Sequence, residues 1–316
     1  MKIGILDDYH DVARSFADWS RLERDHEVVV FNRHLGTGAA VIAALASFDV
    51  LAIMRERTTF DRETIAGLPN LKLIATTGMR NAAIDLDACR ERGIAVVGTG
   101  GSAQATPELA WGLILSLARN IPAENSGMRN GGWMTTIGTD LSGKTLGIVG
   151  LGRLGAMMAR IGAAFGMRVV AWSQNLTAEA AAKAGAEWVE KDQLFAQSDF
   201  ITIHYKLSPR SAGIVGAQEL AQMKPTGFLV NTSRGPLVDT SALIAALKDG
   251  RIAGAGIDTY DVEPLPADHP LRSCPCTVLT PHLGYVTTDT YRQFYSETVE
   301  GIEAWLAGKP VRLLQG

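Results

Sequence analysis

Cysteine is scarce in this sequence. Cys89, Cys274 and Cys276 are the three cysteines in a chain of 316 residues. An odd number of widely separated cysteines does not indicate a disulfide framework. Cys274 and Cys276 flank one proline, but no third and fourth ligand stands near them at the spacing of a zinc site. We therefore expect reduced thiols and no metal centre.

The sequence also lacks an excess of either charge and lacks a long apolar run. It has 30 Lys and Arg against 33 Asp and Glu, a net charge of -3. It therefore lacks the excess of basic residues that is typical of nucleic-acid-binding proteins. No apolar stretch approaches the roughly 18 residues that would span a bilayer. The N-terminus does not have the layout of a signal peptide. We therefore expect a cytoplasmic protein with neither a nucleic-acid nor a membrane partner.

The sequence does contain an alternation of short apolar runs and longer amphipathic or alanine-rich stretches. This pattern is typical of α/β folds with a parallel sheet, and 316 residues are enough for two domains. The first series of predicted strands is 2–6, 27–31, 50–53, 72–75 and 95–97. The second series is 145–149, 168–172, 200–204, 227–231, 253–258 and 277–280. Six strands is the number in a doubly wound dinucleotide-binding fold.

Two segments indicate how the series are joined. After the glycine-rich residues 98–102, Thr106 and Pro107 predict a helix with Thr106 as its N-cap and Pro107 as its first residue. Residues 288–307 predict a long final helix that comes too late for the second sheet. We therefore expect an α/β protein with two Rossmann-like or flavodoxin-like domains with parallel sheets. A cofactor domain, 102–284, is inserted into a discontinuous substrate domain, 1–101 and 285–316.

A glycine-rich turn stands between the first strand of the second series and a helical run. Its glycines match the pattern G-x-G-x-x-G, which closes strand 145–149 and opens a predicted helix over 156–165. In this context glycines allow a tight turn, close approach of the backbone to a diphosphate, and close contact between helix and strand. Free N–H groups at the helix start bind the anion. The predicted cofactor-binding residues of this turn are Gly150, Gly152, Arg153, Leu154 and Gly155.

The end of the second strand of that series bears on the choice between NAD and NADP. A carboxylate there would bind the ribose hydroxyls of NAD. The chain has Ser173, Gln174 and Asn175 instead, with neither a carboxylate to repel a 2′-phosphate nor an arginine to pair with it. We predict NAD as the cofactor, with NADP not excluded, and predict that Ser173 and Gln174 contact it.

Three reactive side chains follow the last three predicted strands. Arg234, Glu263 and His282 each come shortly after a strand end, and such ends carry the ligand site in an open α/β sheet. Reduction of a ketone by hydride leaves an alkoxide that needs a proton, which histidine can donate. A neighbouring carboxylate stabilises the imidazolium and fixes the ring tautomer. An arginine fork binds a substrate carboxylate. We predict these three residues as the catalytic group.

These residues and the motifs around them resemble the D-isomer-specific 2-hydroxyacid dehydrogenases. The resemblance covers nearly the whole chain, through the glycine turn and the segments 198–204, 231–235, 256–264 and 280–284. It implies an NAD(P)-dependent oxidoreductase that transfers a hydride between the nicotinamide and C2 of a small 2-oxo or 2-hydroxy acid. It also implies a cleft that closes and a homodimer built on the cofactor domains.

The resemblance also implies individual roles. Arg234 would bind the substrate carboxylate and carbonyl. Glu263 would pair with His282, and His282 would act as the general acid and base. Asp258 would hold the nicotinamide amide. Further residues expected at the cofactor are Thr106, His204, Thr232, Ser233 and Gly284. Those expected at the substrate are Arg55, favoured over Arg57, with Gly78, Met79, Arg80 and Asn81.

The chain departs from the family pattern at three positions. Arg80 replaces the second glycine of the substrate loop. Its side chain either binds an additional anionic group of the substrate or points to solvent. Lys206 replaces a proline and contacts either a cofactor phosphate or nothing. Tyr285 stands where a small residue is common and would narrow the pocket.

Alternative functions use the same scaffold. Glu263 argues against a formate dehydrogenase, whose counterpart is glutamine, whereas phosphite oxidation stays open because its triad is alike. The C-terminal-binding-protein corepressors use the scaffold as an NAD(H)-gated binding module and retain the triad. They usually carry extra terminal segments, which we expect to be absent here, as we do the regulatory domain of the longer phosphoglycerate dehydrogenases. We expect an enzyme, with the binding module as the alternative.

Overall fold

A computed structural model describes residues 1–314 of the chain. The chain forms two compact units, which are treated separately below. Unit 1 comprises residues 1–102 and 287–316, and unit 2 comprises residues 103–286. One unit is therefore built from both ends of the chain, and the other is inserted between them.

Unit 1 has a parallel sheet of five strands in the order β2-β1-β3-β4-β5. The strands are β1 (Lys2–Ile5), β2 (Glu27–Val30), β3 (Val50–Ile53), β4 (Leu73–Thr76) and β5 (Ala95–Val97). The helices between them are α1 (Ala13–Phe16), α2 (Ser20–Asp25), α3 (Ala39–Leu45), α4 (Arg62–Ala66) and α5 (Leu86–Glu91). The three inner strands are almost wholly buried, because a parallel sheet is covered on both faces and selects continuous apolar runs.

Unit 2 has a parallel sheet of seven strands in the order β12-β11-β10-β9-β6-β7-β8. The strands are β6 (Thr145–Val149), β7 (Arg168–Trp172), β8 (Glu187–Trp188), β9 (Phe200–Ile203), β10 (Phe228–Asn231), β11 (Gly254–Ile257) and β12 (Thr277–Leu279). The helices are α6 (Ala105–Ala118), α7 (Ile121–Arg129), α8 (Arg153–Ala164), α9 (Ala178–Lys183), α10 (Lys191–Gln197), α11 (Ala217–Gln222) and α12 (Thr240–Lys248). Two short 3-10 turns cover Gly235–Leu237 and Pro270–Ser273. The order reverses between β6 and β9, which is the switch point of a doubly wound sheet.

The chain closes with the long helix α13 (Thr288–Leu306), which packs against α1 and β4 of unit 1. The predicted fold class, an α/β protein with two parallel sheets, is confirmed. Unit 1 has the flavodoxin-like strand order, and unit 2 has the Rossmann order with one additional strand at the β12 edge.

Two local predictions were wrong. The second sheet has seven strands rather than six, because β8 is a strand of two residues with too short an apolar run to recognise in the sequence. Thr106 is not an N-cap, since Gln104 holds that place and α6 begins at Ala105. Pro107 still lies in the first turn of α6, where its missing N–H removes no helical hydrogen bond.

The two faces of the unit 2 sheet carry separate apolar layers. On one face Phe195 and Leu247, from α10 and α12, pack against strand residues such as Ile201. On the other face Trp111 and Met158, from α6 and α8, pack against the same sheet. This two-sided burial holds the carboxyl ends of the strands in a fixed lateral order.

The turn between β6 and α8 depends on two glycines that pack tightly. Gly150 has φ +99°, and a Cβ at this position would lie 2.4 Å from the carbonyl oxygen of His204. A Cβ on Gly155 would lie 2.2 Å from the carbonyl oxygen of Gly150. Gly152, in contrast, has open space within 4 Å of the position where its Cβ would stand. Gly150 and Gly155 therefore hold α8 against the strand, and Gly152 faces outward.

Among residues 1–314, no helix is both long enough and apolar enough to cross a membrane.

The two kinds of glycine predict different effects on stability. We expect Gly155→Ala to lower the free energy of unfolding by about 1–3 kcal/mol, because its methyl group meets a backbone oxygen that cannot rotate away. Gly152→Ala, the matched control in the same turn, should change the free energy of unfolding by less than about 1 kcal/mol. Urea unfolding followed by circular dichroism measures both, and equal losses would contradict the packing argument.

Candidate active site

The three predicted catalytic residues follow three neighbouring parallel strands. Asn231 of β10 pairs with Ile257 of β11, which pairs with Leu279 of β12. Arg234 lies three residues beyond the first of these positions, and His282 lies three residues beyond the last. Because parallel strands end at the same edge of a sheet, both side chains stand at the carboxyl edge of unit 2.

His282 and Glu263 form a direct pair. Nδ1 of His282 lies 2.6 Å from Oε2 of Glu263, and the two side chains are 19% and 29% exposed. The other carboxylate oxygen, Oε1, accepts a hydrogen bond from the backbone N–H of Tyr260 at 2.9 Å. A carboxylate accepts only, so the pair is formed when Nδ1 carries its proton, and Nε2 remains as the nitrogen for exchange with a substrate.

Asp258 anchors the loop that carries His282. The side chain is buried, and its oxygens accept hydrogen bonds from Thr280 Oγ1 at 2.6 Å, Leu283 N at 2.7 Å and Gly284 N at 3.0 Å. Its backbone oxygen accepts a further bond from His282 N at 2.8 Å. Burial raises the pKa of the Asp258 carboxyl group. A carboxylate has about four acceptor positions, so capacity remains for one more donor.

The backbone of His282 is held in an uncommon conformation. Its φ is +55°, in the left-handed region that non-glycine residues seldom occupy. The bonds to Asp258 maintain this conformation, which turns the imidazole toward Glu263. Strain of this kind, maintained by surrounding hydrogen bonds, is concentrated at functional sites.

Tyr260 supports the His282 and Glu263 pair, although the sequence predicted no role for it. Its hydroxyl lies 3.1 Å from the carbonyl oxygen of Ile257 and 2.9 Å from that of Thr280, so one hydroxyl joins the ends of β11 and β12. Burial is the main cause that raises the pKa of this phenol, which keeps it a donor. Tyr260 also donates its N–H to Glu263. The only signal in the sequence is its place between Asp258 and Glu263.

Arg234 lies in the turn after β10. Its Nη1 donates to the carbonyl oxygen of Ser233 at 2.7 Å, and its own carbonyl accepts from Asn231 Nδ2 at 2.9 Å. The next residue, Gly235, packs so closely on Tyr260 that a Cβ would lie 2.1 Å from that residue's carbonyl carbon. The Arg234 turn and the Glu263 loop are therefore adjacent.

The glycine turn has the features of an anion cradle. Gly152 is exposed and begins α8, a helix of twelve residues. Among residues 1–314, no side chain caps this helix start, so its first N–H groups are open to a ligand. The open space at Gly152 admits close backbone approach of a diphosphate. Arg153, exposed, and Leu154, half-buried, are the first residues of α8. The cradle therefore fits the cofactor predicted from the sequence.

Ser173 and His204 lie beside the glycine turn. Oγ of Ser173 accepts a hydrogen bond from Leu151 N at 3.1 Å. Nε2 of His204 lies 2.9 Å from Thr202 Oγ1, while its Nδ1 is buried without a hydrogen-bond partner in residues 1–314. Burial lowers the pKa of His204 to about 4, so the ring is neutral at pH 7. A neutral ring with an open nitrogen is suited to a polar ligand atom.

The other residues predicted at the cofactor line the same edge. Ser233 donates its hydroxyl to the carbonyl oxygen of Ile203 at 2.7 Å, and Thr106 donates to that of Gly284 at 3.0 Å. Thr232 is buried, and its Oγ1 has no hydrogen-bond partner in the part of the chain described. Gln174 and Lys206 are exposed, and the ring of Tyr285 meets that of His282 edge to face, with centroids 5.6 Å apart.

The residues predicted at the substrate lie together at the carboxyl edge of unit 1. Arg55 Nη1 is 3.3 Å from the carbonyl oxygen of Thr77, and a Cβ on Gly78 would lie 2.0 Å from the same nitrogen. Asn81 is buried and donates to the carbonyl oxygen of Arg55 at 2.7 Å. Met79 and Arg80 are exposed.

Arg57 is engaged elsewhere in the same unit. Its Nη1 donates to the carbonyl oxygen of Asp7 at 2.7 Å, its Nη2 to Tyr291 Oη at 3.2 Å, and its guanidinium lies 4.6 Å from the Tyr9 ring centroid. Arg57 thus ties the end of β3 to β1 and α13.

The three cysteines are free. Cys89 and Cys274 are buried, and Cys276 is exposed.

Residues 111–284 match the model of the D-isomer specific 2-hydroxyacid dehydrogenase NAD-binding domain. The matched segment contains the glycine turn and all three predicted catalytic residues. It covers more than half of the chain.

Two of the similar proteins illustrate the enzyme names found among the relatives. The D-3-phosphoglycerate dehydrogenase of Mycobacterium bovis is 37% identical over 85% of this chain, which spans about half (51%) of that relative's length. The glyoxylate reductase of Aeropyrum pernix is 37% identical over 79% of this chain and 77% of its own.

Solved structures agree with these similarities. A phosphoglycerate oxidoreductase from Vibrio cholerae matches with a TM-score of 0.92 and 36% identity, covering 98% of this chain and 99% of its own. The apo D-lactate dehydrogenase of Escherichia coli matches with a TM-score of 0.83 and 27% identity over the whole of both chains. This chain therefore belongs to the D-isomer specific 2-hydroxyacid dehydrogenase family.

Proposed function

We propose that the chain is an NAD(P)-dependent dehydrogenase that interconverts a small 2-oxo acid and its D-2-hydroxy acid. The observation that carries this proposal is the pair of His282 and Glu263, 2.6 Å apart, at the sheet edge that also bears Arg234 and the glycine turn. An acid–base group, a carboxylate-binding group and a diphosphate cradle on one edge are what this reaction requires.

His282 exchanges the proton. Conversion of the ketone to the alcohol adds a hydride to C2 and a proton to the oxygen, and NAD(P)H supplies the hydride when it is bound. Nε2 of His282 donates the proton to the oxygen and takes it back in the reverse direction. Glu263 stabilises the imidazolium and maintains the tautomer with hydrogen on Nδ1.

Arg234 binds the substrate carboxylate and polarises the carbonyl. The planar guanidinium donates two parallel hydrogen bonds to a carboxylate, which orients C2 as well as binding the acid. In unit 1 the residues that bind substrate are Arg55, Gly78, Met79, Arg80 and Asn81. We assign the glycine turn, Arg153, Leu154, Ser173, Gln174, Thr106, His204, Thr232, Ser233, Asp258 and Gly284 to the cofactor.

The substrate panel follows from the relatives. The names D-3-phosphoglycerate dehydrogenase and glyoxylate reductase refer to one acid with a phosphate group and one without. Oxidation of NADH and of NADPH is therefore measured with glyoxylate, hydroxypyruvate, pyruvate and 3-phosphohydroxypyruvate. Arg80, a cation in the substrate loop, favours an acid with a second anionic group.

With the best substrate of that panel, we expect His282→Gln to lower kcat by about 100- to 10,000-fold, because the amide cannot exchange the proton. Nucleotide affinity, measured by fluorescence titration, should change by less than about threefold. His26→Gln is the control, since in residues 1–314 the one hydrogen bond of the His26 ring is to the N-terminal amine, at 3.4 Å. No turnover by the unaltered chain on any acid, or a His282→Gln variant within about tenfold of it, would refute the assignment.

Tyr260 positions Glu263 and His282 through the hydroxyl that joins β11 to β12. We expect Tyr260→Phe to lower kcat by about 3- to 30-fold with little change in substrate KM, because the pair loses its alignment. In a Glu263→Gln background the same change should have almost no effect, since the pair is already disabled. Steady-state kinetics of the four proteins gives this cycle, and additive losses would reduce Tyr260 to a structural role.

We also infer that the chain forms a homodimer through unit 2. The segment between α6 and β6 exposes a set of apolar side chains, namely Ile121, Met128, Trp133, Met134 and Ile137. Exposed apolar side chains concentrated in one segment favour association with another surface. Light scattering should give twice the mass of one chain, and Trp133→Asp, at a position 75% exposed, should shift the protein to monomers. A monomeric unaltered chain would exclude the dimer.

A further inference from the structure

A cavity of about 530 Å³ lies at the amino ends of the unit 2 strands. Phe228 and Thr277, which line it, begin β10 and β12, and Lys144, which also lines it, directly precedes β6. The predicted catalytic residues follow the carboxyl ends of strands in the same sheet, and the four residues of β10 span about 13 Å. The cavity is therefore separate from the candidate active site, and its volume falls in the range of small-molecule sites, roughly 300–1,000 Å³.

Lys144 gives the cavity a positive charge. The side chain is half-buried, and in residues 1–314 its ammonium has neither an ion pair nor a hydrogen bond. The residues that line the cavity all belong to the described part of the chain, and none of them is Asp or Glu. A half-buried cation without a counter-ion is suited to an anionic ligand.

Two acids in the surrounding elements have partners of their own. Glu124, in the first turn of α7, accepts hydrogen bonds from the hydroxyls of Thr135 and Thr136 at 2.9 and 2.6 Å. Asp199, which directly precedes β9, pairs with Lys224 at 2.8 Å. Both carboxylates are bound within the chain, so the ammonium in the cavity is left to a ligand.

Neutral donors line the same cavity. Ser116 and Asn120 are half-buried and Thr226 is exposed, and their side chains have no hydrogen-bond partner among residues 1–314. The carbonyl oxygen of Ala118, at the end of α6, already accepts a hydrogen bond from Thr139 N at 2.8 Å. Hydroxyl and amide groups can each donate to an oxyanion. The cavity therefore offers an anion one ammonium and three neutral donors.

The chemistry of these groups favours a phosphate over a carboxylate. Proteins commonly bind carboxylates through the planar fork of an arginine, and no arginine of residues 1–314 lines this cavity. A lysine binds phosphate as a point charge, and hydroxyl and amide donors serve the remaining oxygens. We propose that the cavity binds a small phosphorylated metabolite, with Lys144 as the cation that holds its phosphate group. This site is distinct from the glycine turn and does not depend on the proposed dehydrogenase.

Cys276 provides a reporter inside the cavity. It is exposed and lines the cavity, whereas Cys89 and Cys274 are buried. A ligand that fills the cavity covers the thiol and slows its alkylation by iodoacetamide, which mass spectrometry of the Cys276 peptide measures. The readout therefore reports this cavity and not the glycine turn. Ile137, of the exposed apolar segment, also lines the cavity, so the whole chain is tested in its own oligomeric state.

The probe is glycerol 3-phosphate. At about 10 mM we expect it to slow alkylation of Cys276 by at least about fivefold, as for a ligand with a Kd of about 2 mM. Glycerol and acetate at the same concentration should slow it by less than about 1.5-fold, since neither carries a phosphate. Sodium chloride of equal ionic strength, which controls for screening, should also change the rate by less than about 1.5-fold.

Three variants test the cation. Lys144→Met should reduce the protection to less than about 1.5-fold, because the charge is lost. Lys144→Arg keeps the charge and should retain protection of at least about twofold. Lys183→Met is the matched control, since it removes an exposed lysine from the last turn of α9, and it should keep the protection of the unaltered chain.

The proposal is overturned if glycerol 3-phosphate gives no protection, or if Cys276 does not react in the unaltered chain. Equal protection by acetate overturns it too, because the cavity would then take a carboxylate. So does protection that survives Lys144→Met or that is lost equally in Lys183→Met. Alkylation requires no turnover, so an inactive dehydrogenase would leave a positive result intact.

Discussion

The buried carboxylate of Asp258 is the group on which the active-site geometry depends. It lies at the end of β11 and accepts hydrogen bonds from the side chain of Thr280 and from the N–H groups of Leu283 and Gly284. These bonds hold the loop after β12 to the neighbouring strand, with His282 in a left-handed backbone conformation between them. A buried charge is tolerated when donors surround it, and here the donors belong to the loop that must be positioned.

Tyr260 adds a second link between the same two strands. Its hydroxyl joins the carbonyl groups at the ends of β11 and β12, and its N–H holds Glu263. Asp258 thereby supports the His282 side of the pair, and Tyr260 supports the Glu263 side. Groups that support reactive side chains in this way matter because misplacement by about an ångström is costly to catalysis.

The edge of unit 2 that carries the glycine turn combines open backbone groups with a neutral side chain. At the glycine turn and the start of α8 the groups open to a ligand are backbone N–H groups, which do not depend on the identity of most side chains. Beside them, the side chain that follows β7 is a neutral serine, which accepts a hydrogen bond from the turn.

Much of this protein could be predicted from its sequence alone. The continuous apolar runs predicted eleven of the twelve strands in residues 1–314, because buried parallel strands select such runs. The class of both sheets was confirmed. The glycine turn and the candidates Arg234, Glu263 and His282 were also predicted from the sequence, because reactive side chains just past strand ends mark the ligand edge of an α/β sheet. The roles of these residues stay predictions.

Other features became visible only in the tertiary structure. The sequence did not predict the two-residue strand β8 or the start of α6 at Ala105, because both depend on neighbours distant in the chain. The links made by Asp258 and Tyr260 require β11 and β12 to be adjacent, and the bond from Leu151 to Ser173 requires β6 and β7 to be adjacent. Which reactive groups are present, and which strand each one follows, is evident from the order of residues alone. Strand order decided which of these groups touch, since a hydrogen bond forms only over about 3 Å and chain spacing does not report that distance.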